Sequence, residues 1–480
     1  MSTRGGVVGI SARAVAGLAG IALAAVTIAG AAFLPLPNRV VTPPASTVAP
    51  VATDQQRVCA GPLLTLAADS TAATAASAFG RASTLSGTSQ NGVAPQTSRL
   101  SPVDDTSGTR YGAPLTVTVP AEAGATQPPR LAASQIQNAS QPDLAGLAAS
   151  VCDEAASDSW LVGGATSLGQ TSLVLLSNPS AVQATVDLTI YGESGLVDAP
   201  GATGIVVAAG TQRIVPLAGL APTVAAPVVH VQTIGGRVLS SMQQSFVNGL
   251  EPGGAELEGP TTAPATHQVI AGVAVRSLAA LQGSQSGETY GPNLPAARIF
   301  VPGKKAATVR IGVVGEAGTV AGNSISATVQ PGVVTEVPLD HLADGNFAVT
   351  IDSTQPVVAA ARTSVIGTTA KDFAWFVASH PLGGSFLVPV VTGPEATLHL
   401  ANDGGKDVTA TVTGPTGNAT KVTVPAEGGV GVAVTAAGIY SVDGATGVTA
   451  SVSYTGDGLM SSFAINPPGP LATPITVYPK

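Results

Sequence analysis

Charge is the first thing this 480-residue sequence lacks: Asp, Glu, Lys and Arg make up only 10% of it, and the formal net charge is -8. Nucleic-acid binding needs a positive stripe that replaces phosphate counterions. No basic cluster follows the N-terminus, so that class of function is set aside. Aromatic residues are scarce, at 4%. The only cysteines, Cys59 and Cys152, lack the CxxC spacing of a redox catalyst. His230, His267, His341, His380 and His399 are scattered, with no HxH or HExxH spacing for a metal. Serine is abundant, but no G-x-S-x-G elbow or S-x-x-K pair stands in a strand–helix context. The glycine pairs at 163–164 and 235–236 read as hairpin glycines, since no G-x-x-x-x-G-K-[ST] pattern accompanies them. The expectation is a non-catalytic chain with no cofactor and no metal.

What is present points to strands. Hydrophobic residues reach 45%, mostly Ala and Val, and Val/Thr-rich runs alternate with 57 Gly and 37 Pro. Few Lys and Glu with frequent Gly speak against long surface helices, while β-branched runs suit pleated sheets. An all-β fold is predicted, and the length allows two to four domains.

The N-terminus is different. Arg4 and Arg13 precede an uncharged run from Ala14 to Pro37, and no acidic residue occurs among the first fifty. About 20 apolar residues cross a bilayer, and the positive-inside bias would keep this end cytoplasmic and send the rest outward. Residues 1–36 are therefore read as a cytoplasmic stub and membrane anchor. Ala29-Gly30-Ala31 fits a signal-peptide cleavage site, which is the alternative. Later apolar stretches are broken by Gly, Pro or polar residues, so no second span is expected, and no LPxTG-type sorting signal lies near the C-terminus. Residues 37–56, rich in Pro, Val and Thr, read as an extended polyproline-like spacer.

Beyond such a segment an isolated cysteine pair reads as a structural disulfide, Cys59 to Cys152. It would pin a loop-rich β region, 57–158, to the start of the first regular module. Strand candidates there are Gly61–Leu66 and Ala113–Pro120.

From Trp160 onward the sequence repeats. "WLVGGATSLGQTSLVLLSNPS" (160–180) resembles "FLVPVVTGPEATLHLANDG" (386–404), each Leu-rich strand ending at Asn178 or Asn402. "VDLTIYGESG" (186–195), "VRIGVVGEAG" (309–318) and "VTATVTGPTG" (408–417) alternate and close on a Gly-x-x-Gly turn, the pattern of a half-buried antiparallel strand. Each is followed by a strand pair and then a pair of closing strands. The prediction is three tandem immunoglobulin-like β-sandwich modules, 159–252, 268–381 and 384–468, each of roughly seven strands, followed by a tail, 469–480. A propeller is the alternative, but its blades run nearer about 40–50 residues.

Trp160 opens the first module and Trp375 joins the second to the third. Either could be a partner or glycan contact; packing at module ends is the plainer reading. Asp104-Asp105 and Asp153-Glu154 could meet a cation, though a solvated loop is simpler.

The anchor, Cys59-Ala60-Gly61-Pro62, the second cysteine ahead of "SWLVGG" (Cys152, 159–164) and "LLSNPS" together resemble the actinobacterial domain-of-unknown-function family 5719. The resemblance covers nearly the whole chain and rests on structural motifs. It implies an exported envelope protein of unknown activity, with no catalytic residues to carry over. The Ala/Gly/Val/Thr-heavy usage is compatible with a high-GC actinobacterium. The expected role is a membrane-anchored envelope protein presenting β-modules to an envelope protein or cell-wall glycan. A polysaccharide-binding accessory subunit of a glycan-processing system is the alternative.

Overall fold

Runs of Val, Thr, Ile and Leu broken by Gly and Pro form strands because branched side chains cover a pleated surface well and glycine or proline ends it. A computed structural model describes residues 7–33, 46–48, 52–66, 75–89, 93–125, 127–284, 293–316, 323–339, 341–468 and 475–477. The chain is mostly β, with many antiparallel sheets, and divides into two units, 1–50 with 471–480, and 51–470.

The first unit holds helix α1, Val7–Phe33. Its residues 14–29 are uncharged and exposed. Among the described residues no helix is long and apolar enough to cross a membrane. Ser46–Val48 pairs antiparallel with Ile475–Val477. The expected spacer and tail therefore contribute a strand each, in keeping with their β-branched Thr, Val and Ile.

The second unit is built on one strand pattern that occurs three times. The first set is Asp158–Val162, Gln170–Asn178, Ala184–Gly192, Ile205–Val207, Thr211–Pro216, Val228–Gly235, Leu239–Asn248 and Glu251–Glu258. The third is Ser385–Val390, Ala396–Asn402, Val408–Thr413, Ala419–Val424, Gly428–Ala433, Gly438–Asp443, Thr449–Gly456 and Leu459–Ile465. In both, strands 1, 6, 3 and 4 pair in that order in one sheet, and strands 5, 2, 7 and 8 in the other. The second set runs Ala265–Val275, Ala296–Phe300, Ala307–Gly315, Asn323–Val329, Val334–Pro338, Gly345–Ile366 and Lys371–Val377. Here the 22-residue Gly345–Ile366 supplies strands 6 and 7 without a break: its first part pairs with strands 1 and 3, its last with strands 2 and 8. A short helix, α2 (Leu278–Ser284), follows strand 1 of this repeat.

Each repeat buries one apolar cluster fed by both of its sheets, as alternation requires. In the first, Leu161, Val186, Leu188 and Val229 of one sheet meet Val174, Leu176 and Met242 of the other. The second gathers Val273, Ile299, Ile311 and Phe347; the third, Val388, Leu398, Val442 and Val452. A seven-stranded immunoglobulin domain has strands 1, 2, 5 and 4 in one sheet and 3, 6 and 7 in the other. Here the repeats have eight strands, and strand 1 pairs with strand 6 while strand 7 pairs with strand 2.

The region before the first repeat is more ordered than its composition suggested. Leu131–Gln141 and Leu144–Val151 form a long hairpin joined by Ser83–Thr88. Ile136, Leu147 and Ala149 enter the core of the third repeat, and Leu144 and Ala148 pack with Leu173, Leu175 and Ala255 of the first. Residues 60–64 are held by glutamine amides. Gln135 bonds the N–H and C=O of Gly61, Gln243 does the same for Leu64, Gln137 accepts from Leu63 N, and Gln212 donates to Ala60 O. These side chains stand in for a neighbouring strand and satisfy backbone groups that burial would otherwise strand. The Cys59–Cys152 disulfide, with Cα atoms 4.2 Å apart, sits among Val117, Val119, Leu131 and Ala133.

Candidate functional site: a trough between the second and third repeats

The two tryptophans do not reach a surface. Trp160, 5% exposed, stacks on His230 with ring centroids 3.9 Å apart and packs against Phe300 of the second repeat. Trp375, 1% exposed, donates Nε1–H to Gln244 Oε1 at 2.7 Å and lies beneath the Arg298 and Arg362 guanidiniums. The expectation of a partner or glycan contact at either ring is therefore corrected: both are used to join the first repeat to the second. The acidic pairs are not solvated loops either. Asp104 accepts from Arg213 Nε and Ile214 N, Asp105 accepts from Ala78 N and Ser107, and Asp153 binds Arg57 and Asn466.

Around Trp375 lies a buried polar junction. Arg298, fully buried, donates to Gly164 O, Pro227 O and Glu336. Burial pushes the Glu336 carboxyl up, but Arg298 and Arg362 outweigh it and hold the group below the usual range. Asp372 accepts backbone N–H bonds from Leu147, Ala255, Phe373 and Met460, so one carboxyl ties the N-terminal hairpin to all three repeats. Burial raises its pKa, against the pull of those amides. Glu256 is raised by burial and by Asp372, and it accepts from Ser461 Oγ. Glu258 is raised by burial to about 8, and both its oxygens are buried without a hydrogen-bond partner. A β-carbon at position 163 would lie 2.0 Å from that carboxyl, which would have to shift to admit it.

Strand 1 carries a polar side chain near its start in every repeat, facing one on strand 6. The pairs are Asp158 with His230 (3.0 Å), His267 with Asp352 (2.7 Å) and Ser385 with Asp443 (2.6 Å). In the second repeat a further acid arrives from the next repeat. His267 Nε2 lies 2.8 Å from Asp403 Oδ2, while Nδ1 faces Asp352 Oδ1. Burial lowers the pKa of His267, but the hydrogen bonds and charges of Asp352 and Asp403 prevail and raise it. By contrast, His399 is buried, with Nδ1 on Glu316 and Nε2 on Ser453 Oγ.

His267 stands in an open trough of about 830 Å³. Val269 and Ala348 of the second repeat and Ala401 of the third form its apolar floor. Arg310, Asn323 and Ser324 line one side, and Asn402, Asp403 and Glu427 the other. A second depression of about 480 Å³ shares Val314, Glu427 and Gly428 with it. Glu427 is held at φ +49°, a left-handed conformation that costs free energy in a non-glycine residue. Both His267 nitrogens face carboxylates, so neither is placed to take a proton from a hydroxyl as a general base must. Among the described residues no group of three or more His, Cys, Asp or Glu is placed to hold a metal ion.

Sequence reasoning named His267 only as one of five scattered histidines, because its partners lie 85 and 136 residues away. The signal that could have found it is the repeat itself: aligning the repeats puts Asp158, His267 and Ser385 together near the start of strand 1.

No curated protein matches this sequence. The model of a family of unknown function, DUF5719, matches residues 103–437, which takes in the hairpin, the junction and both walls of the trough. The chain belongs to the DUF5719 family.

Proposed function

We propose that this is a non-catalytic extracytoplasmic protein of the cell envelope, tethered by its N-terminal helix, whose trough between the second and third repeats binds an envelope component. The trough carries this reading. It is open, spans two repeats, and sets polar side chains around an apolar floor, the make-up of a recognition site. The buried ionisable groups Glu256, Asp372 and His399 are hydrogen-bonded across repeats, and both nitrogens of the trough histidine, His267, face carboxylates. The uncharged run after Arg4 and Arg13 supports the tether, and the Cys59–Cys152 disulfide supports an oxidising compartment. We read the repeats as immunoglobulin-like sandwiches in which the 2–5 and 3–6 pairings are kept and strands 1 and 7 have exchanged sheets.

An envelope polysaccharide is the second reading of the occupant. Arg310, Asn323, Asn402 and Asp403 offer the donors and acceptors that sugar hydroxyls use. No Phe, Tyr or Trp lines the trough among the described residues, which weighs towards a protein segment.

The test places a photo-crosslinking amino acid at Val314, in the trough, and at Val206, exposed on the first repeat, in the full chain in its own membranes. A discrete adduct at 314 and none at 206 is expected, and its sensitivity to protease or glycosidase identifies the occupant. Equal labelling at the two positions, or none at 314, would overturn the proposal.

A further inference from the structure

We propose that His267 is a proton-operated clasp between the second and third repeats, closed when its imidazole is charged and released when it is neutral, so that it sets how far the trough opens. The inference concerns regulation of the trough proposed above, but its geometry stands without any occupant. Nδ1 and Nε2 each lie within hydrogen-bond distance of a different carboxylate, Asp352 on the second repeat and Asp403 on the third. A carboxylate only accepts, so both bonds need N–H donors, and an imidazole has two only when protonated. Loss of one proton turns one contact into a lone pair facing a carboxylate. Asp352 is on the same repeat as His267, on the strand that pairs with it. Asp403 is on the other repeat, so the contact to Asp403 is the one that bridges.

The other charged side chains facing this position are Arg310, which stands opposite Asp352 in the strand register, and Glu427 on the far wall. The charges that act on the imidazole are the two aspartates, each within hydrogen-bond distance of one ring nitrogen. His267 keeps 44% of its side chain exposed, which gives protons a direct route. The sign follows from the raised pKa: the clasp is complete below about 6.5, the ordinary histidine value, and is lost as pH rises through the higher folded value.

The test is a histidine Cε1–H NMR titration of the full-length chain, with His267 assigned by the resonance missing from His267→Gln. His267 is expected to titrate above the ordinary value of about 6.5, and to fall by roughly one pH unit in Asp403→Asn, the scale for removing one close opposite charge. Hydrogen exchange at 403–405 and 425–428 is compared between wild type and His267→Gln at matched pH. Wild type should be the better protected on the acid side of the titration, and the difference should vanish on the alkaline side. A His267 that titrates at or below the ordinary value, one that ignores Asp403→Asn, or equal protection on the acid side would each overturn the clasp. Neither readout needs a ligand, so an empty trough in the crosslinking experiment leaves this test intact.

Discussion

Glu258 shows what a single buried side chain can report. Its carboxyl is raised to about 8 by burial, from 4.5. The folded state therefore holds its proton over a range where the unfolded chain has released it. Stability from this group is present below about pH 4.5 and is lost as pH rises through about 8. In urea titrations at several pH values, Glu258→Gln should gain on wild type by roughly 1 kcal/mol per pH unit between about pH 5 and 8. Parallel stability curves would contradict the assignment. Residue roles were unevenly legible in the sequence. The paired asparagines were visible because they recur: Asn178 bonds Val182 O and Val207 O, and Asn402 bonds Lys406 O and Val424 O, so each fastens strand 2 to the end of strand 4. Glu258, Asp372 and the bracing glutamines were invisible. A buried polar residue in an alternating strand reads as a solvent-facing one until the other repeat is brought against it.

At the scale of elements, the recurring segments fell on equivalent strands because period-two alternation and turn glycines survive in all three copies. What could not be read was which strands pair in each sheet, which depends on which edges meet. The hairpin 131–151 was also missed, since Gln135, Gln137 and Ser134 point into other elements and break its alternation. The disulfide was legible from the cysteine count, and its place is the base of that hairpin, where Val58 pairs with Asp153. Opening the 93-residue connection should be costly. The double replacement Cys59→Ser with Cys152→Ser is expected to lose about 4–5 kcal/mol in the chain-entropy model, measured by urea unfolding. A loss below about 1 kcal/mol would mean that the glutamine braces alone hold the segment.

For the whole molecule, the three repeats behave as one body because Asp372, Arg298 and the hairpin are shared property: no repeat closes its polar junction alone. Such a body is suited to presenting a fixed surface, and the trough is the opening it leaves between two repeats. The central proposal is that this body is held at a membrane outside the cytoplasm and binds an envelope component there. Its most direct test puts a cysteine at Leu250, a 96% exposed hairpin tip, in an otherwise disulfide-bonded chain. Wall-stripped cells are treated with a membrane-impermeant maleimide and then fractionated. The account predicts labelling before lysis, with the labelled protein in the membrane fraction. Labelling only after lysis would place the body inside the cell and contradict it, and a labelled protein found in the medium would contradict the tether.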